Sequence, residues 1–190
     1  MPFSLNISHV GIYVKDLPLM EDFYTRFVGF AVADRGPRPG GEIVFLTRDP
    51  REHHQLVLAS GRPGDMNFNL VNQISFRVDS LATLREMHGG LKSEAVKDVV
   101  TLTHGNALSV YFRDPEDNRI EFLIDTPWYV PQPHHLTVDF AMPDRELWGV
   151  IERHCRATPG FKPVEEWMKD IERRIADATA SRGSRARASV

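Results

Sequence analysis

Apolar and polar side chains alternate along "SHVGIYVK", residues 8 to 15, and again along "VNQISFRV", residues 71 to 78. Period-two alternation predicts strands with one buried face. Val10, Ile12 and Val14 then oppose His9, Gly11 and Tyr13, while Ile74, Phe76 and Val78 oppose Gln73, Ser75 and Arg77. After each strand the period becomes helical. In the first case Asp16 can cap, Pro18 suits the first turn, and Leu17, Met20, Phe23, Tyr24 and Phe27 form a stripe that Gly29 ends. In the second, Ser80 caps a stripe of Leu81, Leu84 and Met87 that stops at "HGGL". Three strand-like runs follow each helix, around 29–34, 42–48 and 54–60, then around 96–103, 107–113 and 118–125. The connections "RGPRPGG" and "DPEDN" have the chemistry of turns.

These patterns repeat. A shift of 64 positions (73 − 9) maps Val10, Ile12, Val14 and Leu17 onto Ile74, Phe76, Val78 and Leu81, and "RDP" at 48–50 recurs at 113–115, a shift of 65. The predicted class is α+β: two tandem βαβββ modules, about 1–62 and 63–126, forming one curved mixed sheet around a cleft, with a C-terminal helical extension. Residues 1–126 make that domain. Residues 127–190 hold an extended Pro-rich connector, "TPWYVPQPHH", helices near 143–157 and 163–179, and a basic tail, "SRGSRARASV", expected to fray. Val164, Trp167, Met168, Ile171 and Ile175 share one face of the last helix, which predicts packing on the domain or on a neighbouring subunit.

Composition narrows the class. The chain has 190 residues, 42% hydrophobic and 26% charged, with a net charge of −3 and a pI near 6.2. Nothing in that balance calls for nucleic acid or an anionic membrane as partner. The single cysteine, Cys155, excludes an internal disulfide. No apolar run approaches the length of a membrane span, and "MPFSLNISHV" lacks the regions of a signal peptide, so a soluble, cytoplasmic protein is expected.

The unusual feature is the polar inner face. If both modules share a sheet, that face carries His9, Gln73, Arg77 and Glu121, with His104 nearby in "THGNAL". A 65-residue shift pairs Leu56 with Glu121 and turns His54 and Leu56 inward; a one-residue change brings Gln55 inward instead. Two imidazoles and a carboxylate suit a divalent transition metal and leave positions open for substrate. Each residue has a plainer reading alone. A histidine on a strand is usually a half-exposed surface residue, Glu121 can pair with Arg119 or Arg77, and "HH" at 53–54 can be a polar turn exit. Their coincidence in duplicated strands favours the site.

The duplicated units, over about residues 5 to 126, resemble the vicinal oxygen chelate superfamily. It includes glyoxalase I, bleomycin- and fosfomycin-resistance proteins, and type I extradiol ring-cleavage dioxygenases. The chain is most similar to one-domain extradiol dioxygenases. "SHVGIYVKDLPLMEDFYTRFVGF" resembles the start of their catalytic half, with His9 as first metal ligand, and "RIEFLID" their closing strand, with Glu121 as carboxylate ligand. "HHQLVL" is similar to the strand bearing their acid–base histidine, here His54. "HGNALSVYFRDPEDNRIE" looks like their signature run, with His104 and Tyr111 around substrate and metal. Three departures stand out. Gln73 occupies the place of the second histidine ligand, the run from His104 to Tyr111 is slightly short, and Asp117 and Asn118 replace a glycine-containing turn.

The resemblance implies a metal site of His9, Gln73 and Glu121, holding Fe(II), Mn(II) or another divalent ion. It also implies catalytic roles for His54, His104 and Tyr111, and substrate contacts from Arg77, Asn106 and Tyr13. Arg77 either orients an acidic substituent or makes an external salt bridge. A glutamine carbonyl is a weaker, less oriented ligand than imidazole, although some glyoxalases use one. The function implied is cleavage of a catecholic aromatic by O2 in a homo-oligomeric enzyme. The alternatives are a glyoxalase-like metal-dependent lyase or isomerase, and a metal-free small-molecule binding protein of the same fold.

Overall fold

The computed structural model describes residues 5–66 and 68–187, with side chains through Ala178. Strand β1 (Val10–Val14) runs parallel to β4 (Leu56–Ser60), and β2 (Ala31–Arg38) and β3 (Gly41–Thr47) complete a four-stranded sheet in the order β1-β4-β3-β2. In the second unit β5 (Ile74–Arg77) runs parallel to β8 (Arg119–Asp125), followed by β7 (Ala107–Arg113) and β6 (Lys97–Thr103). A two-residue strand, β10 (Leu136–Thr137), extends this sheet to the order β10-β6-β7-β8-β5. The duplication is visible in the register. Val10 opposes Leu56 and Ile74 opposes Ile120, and both members of the pair are related by 64 positions (74 − 10 and 120 − 56).

The strands therefore make two sheets, in place of the single curved sheet read from the sequence. Among the described residues no ladder joins the edge strands β1 and β5. Side chains join the units instead. Helix α1 (Leu17–Asp22), capped by Asp16 and continued as one π turn (Phe23–Phe27), buries Leu17, Met20, Phe23 and Tyr24. Phe23 and Phe27 meet Phe112 and Phe122 of the second sheet, and Tyr24 and Phe30 meet Phe76, with ring centroids 5.6–6.5 Å apart. Such contacts each contribute about 0.5–1.5 kcal/mol beyond burial. Gly29, at φ +86, makes the left-handed turn that ends the helix and sends Phe30 into this cluster.

A polar tie accompanies the aromatic one. The turn "DPEDN" reaches back to the first unit, where the Glu116 carboxylate accepts the backbone N–H groups of Lys15 and Asp16 at 2.7 Å. Tyr24 donates its hydroxyl to buried Asp114 at 3.0 Å. Asp117 holds a φ of +67, the conformation that glycine would favour there.

Helix α2 (Leu81–Gly90) is capped by Ser80 and contacts β7 and β8. Beyond Asp125 the connector is partly structured: β9 (Trp128–Tyr129) pairs with β11 (Lys162–Pro163), and β10 pairs with β6. Helix α3 (Asp144–Ala157) buries Leu147, Ile151 and Cys155. Helix α4 (Val164–Arg187) continues through most of the tail that was expected to fray, and residues 188–190 lie outside the described residues. Its stripe packs at the start. Trp167 stacks on Tyr129 at 5.5 Å, whereas Met168 and Ile175 are exposed. "RGPRPGG" is also shorter as a turn than it reads, because Arg35 to Arg38 pair with β3.

Candidate active site

The inner face of the second sheet collects polar groups because the opposite face already buries Ile120, Phe122 and Ile124 against the helices. Register places Ser75 and Tyr111 on either side of Glu121. Glu121 is 3% exposed. One carboxylate oxygen accepts the Ser109 hydroxyl at 2.6 Å; the other accepts the Ser75 hydroxyl at 2.5 Å and the Gln73 amide N–H at 3.1 Å. Among the described residues no lysine, arginine or histidine pairs with it. Burial, and then the neighbouring Glu121 carboxylate, raise the Tyr111 hydroxyl above its ordinary range, so Tyr111 stays protonated.

Tyr111 leads outward to His104, whose Nε2 lies 3.0 Å from the phenol oxygen. The other ring nitrogen lies 2.7 Å from the backbone carbonyl of His134. A carbonyl only accepts, so His104 carries its proton on Nδ1 and, when neutral, accepts from Tyr111 at Nε2. The extension thus fixes the orientation of a ring in the duplicated domain.

The first sheet supplies a second group. His9 follows the alternation of β1 and packs its ring 4.3 Å from that of His54, which also meets Phe45 at 5.1 Å. The registers show why strand logic alone misplaced the neighbours of His54. Leu56 corresponds to Ile120 and not to Glu121, and it is fully buried on the core face. Gln55 spends its side-chain carbonyl on the Arg48 N–H. His54 precedes β4, so alternation does not govern it, and its ring lies against His9. Asp34 lies 3.1 Å from His53 Nε2, and His53 Nδ1 lies 2.8 Å from His54 Nδ1. Because the carboxylate accepts, neutral His53 is protonated on Nε2 and accepts from His54, which leaves the His54 Nε2 lone pair free. Burial, then His9 and His53, lower the pKa of His54 and favour its neutral form.

Gln73, Tyr111 and Glu121 are thus brought together with His104, and His9 with His54. Arg77 makes an exposed bidentate pair with Asp125, at 2.7 and 3.2 Å. Asn106 is exposed beside Gln132. Tyr13 lies under the Arg38 guanidinium and lines a cavity of about 290 Å³ with Leu70 and Val71. Sequence reasoning passed over Ser109, whose only signal is a small polar residue inside the apolar run "ALSVYF". It also passed over Asp34 and the His134 carbonyl, which tertiary folding alone brings in.

The donor chemistry fits a divalent cation. Glu121 is a buried anion surrounded by neutral donors, and buried charges ordinarily pair or coordinate metals. Gln73 beside it offers a carbonyl oxygen once its amide turns over; His9, which would add an imidazole, stands with His54 in the group of the first sheet. Among the described residues no three of His, Cys, Asp and Glu cluster closely enough to hold a metal; the His9, Gln73 and Glu121 set contains only two of those types.

Known proteins share this architecture. The chain is 26% identical over 129 residues to biphenyl-2,3-diol 1,2-dioxygenase 2 of Rhodococcus globerulus, covering 66% of this chain and 65% of that one, so it spans about two thirds of the enzyme's length. A glyoxalase/bleomycin resistance protein/dioxygenase domain from Frankia sp. superposes with a TM-score of 0.57 at 20% identity, over 65% of this chain and 94% of the other. The Listeria monocytogenes fosfomycin resistance protein FosX, solved with Mn(II) and sulfate, gives 0.50 at 17% identity, over 65% and 95%. No helix among the described residues is long and apolar enough to cross a membrane. The family model that describes the glyoxalase/bleomycin resistance protein/dioxygenase superfamily matches residues 6–122, and the chain belongs to that superfamily.

Proposed function

We propose that the chain is a metal-dependent dioxygenase of the extradiol type, opening a catecholic ring with O2. The observation that carries this reading is the buried Glu121 carboxylate, paired with no cation among the described residues and flanked by Gln73 and Tyr111. The similarity to biphenyl-diol dioxygenases supports it and points to an aromatic diol.

His9, Gln73 and Glu121 would hold the metal, Fe(II) before Mn(II). When bound, it supplies a Lewis-acidic centre for two vicinal oxygens and a path for electrons to O2. Around it the protein handles protons and position. His54 Nε2, left free by the hydrogen bond at Nδ1, takes a proton from a substrate hydroxyl and returns it. Tyr111 turns its one hydroxyl proton from His104 Nε2 to a substrate oxygen as charge develops there. Phe45, Val57 and the cavity beside Tyr13 form an apolar wall for the ring.

A second reading has its own support. Ser75, Ser109 and Gln73 already satisfy both Glu121 oxygens, as a metal-free binding protein would require. Metal analysis of protein purified without chelators, alongside the Gln73→His variant, separates the two. The dioxygenase reading expects bound iron or manganese and about 10–100-fold tighter binding in the variant, the range by which ligand surroundings tune metal affinity. Absence of metal from both forms refutes it. Oxygen uptake separates a dioxygenase from a glyoxalase-like lyase, which consumes none.

A further inference from the structure

Arg119 stands two residues before Glu121 on β8, on the same face, about 7 Å along the strand. Its guanidinium lies over the Tyr111 ring, 4.4 Å from the centroid. Among the described residues it has no carboxylate partner and no hydrogen bond. The neighbouring cations are neutralised: Lys97 by Asp117 at 2.9 Å, Arg113 by Asp98 at 3.1 Å and Arg62 by Glu116 at 3.7 Å. Lys15 reaches only the Gly64 carbonyl, at 3.4 Å. Arg119 and Lys15 both line a cavity of about 610 Å³ whose wall includes the exposed side chains of Leu70 and Val71. This cavity thus carries two positive charges without internal partners, an apolar wall, and a guanidinium held in place by an aromatic residue of the candidate site.

We infer that Arg119 is a specificity-determining residue that binds a substrate carboxylate, so that the substrate is an aromatic diol with an acidic side chain. The inference rests on the diol reading of the Glu121 site. Arg77, the arginine that the sequence suggests for this task, is already occupied by Asp125. A planar guanidinium fixed by stacking can meet a carboxylate with two parallel hydrogen bonds, which a flexible ammonium does not.

The test is anaerobic calorimetric titration of the full chain with three probes: 3-(2,3-dihydroxyphenyl)propionate, its uncharged counterpart 3-propylcatechol, and 3-phenylpropionate, which has no diol. The catechol acid is expected to bind at least about tenfold more tightly than propylcatechol, the range of one charge-assisted pair. Arg119→Gln is expected to remove that difference, and Arg119→Lys, which keeps the charge, to keep part of it; unfolding midpoints verify that both variants are folded. Equal binding of the two catechols, a preference that survives Arg119→Gln, or no binding of either acid at millimolar concentration overturns the inference. If 3-phenylpropionate binds in an Arg119-dependent way and the diol adds nothing, the carboxylate subsite stands and the diol reading falls.

Discussion

The docking of the two units can be tested at a single hydroxyl. Tyr24 is fully buried, and its hydroxyl donates to Asp114 Oδ2 at 3.0 Å, linking the π turn after α1 in the first unit to the β7–β8 turn of the second. Tyr24→Phe keeps the ring among Phe23, Phe30 and Phe76 and removes one hydrogen bond. Asp114 keeps three others, from the N–H groups of Glu116 and Asn118 and the Asn118 amide. A hydrogen bond to a charged acceptor contributes about 1.5–3 kcal/mol, so a loss of about 2 kcal/mol is expected at neutral pH. In a chain of this size that lowers the melting temperature by about 4–8 °C.

The loss should depend on pH in a defined direction. Burial raises the Asp114 pKa above the usual carboxylate range, against the opposing pull of Asn118, Tyr24 and Glu116. For an acid raised in this way, the stability it contributes is fully present below its unfolded pKa, near about 4, and is lost as pH rises through the folded value. Removing the Tyr24 hydroxyl raises the folded value further. The deficit of the variant should therefore shrink to about 1 kcal/mol at low pH, where only a neutral hydrogen bond is lost. Urea titrations near pH 4.5 and 7.5 measure it through the midpoint at constant slope. An unchanged midpoint at pH 7.5, or a larger deficit at pH 4.5, refutes the reasoning.

Two further substitutions probe the frame around the site. Leu58 is fully buried on β4 between Ile12 and Val44, so Leu58→Ala should cost about 3 kcal/mol by urea titration; less than about 1 kcal/mol would place it outside the core. Gly105 has a φ of +83, and an added Cβ would overlap Val130 and meet Cys155 Sγ at 3.4 Å. Gly105→Ala should therefore lose about 2–4 kcal/mol, with increased protease sensitivity of the extension, and wild-type resistance would argue against tight docking there.

The elements were legible where one period dominates the sequence. β1, β5 and the two helices that follow them appear where alternation and stripe place them, because each buries one face and caps its ends with Asp16 and Ser80. The sheet count was not legible, since whether β1 and β5 form a ladder depends on how the units dock, and aromatic side chains carry that docking. The same limit applies to the site. Glu121 follows from the alternation of β8, so a strand reading finds it, whereas Tyr111, opposite it in the register, entered only through the family resemblance. His54 lies in the chain before β4, where the 65-residue shift gave Leu56 the wrong face. Arg77 reads as the inward arginine and Arg119 only as a pairing partner of Glu121; the fold reveals that Asp125 occupies the first and that the second has no carboxylate partner among the described residues.

The most direct test of the functional account compares wild-type protein with Glu121→Ala, each loaded anaerobically with Fe(II), desalted, and mixed with 2,3-dihydroxybiphenyl and air. The account expects retained iron, oxygen uptake and a yellow ring-fission product from the wild type, with iron and rate both falling at least about 100-fold in the variant. Equal turnover by the two proteins, or a wild type that retains iron and forms no ring-fission product from this or any other catechol, would contradict it.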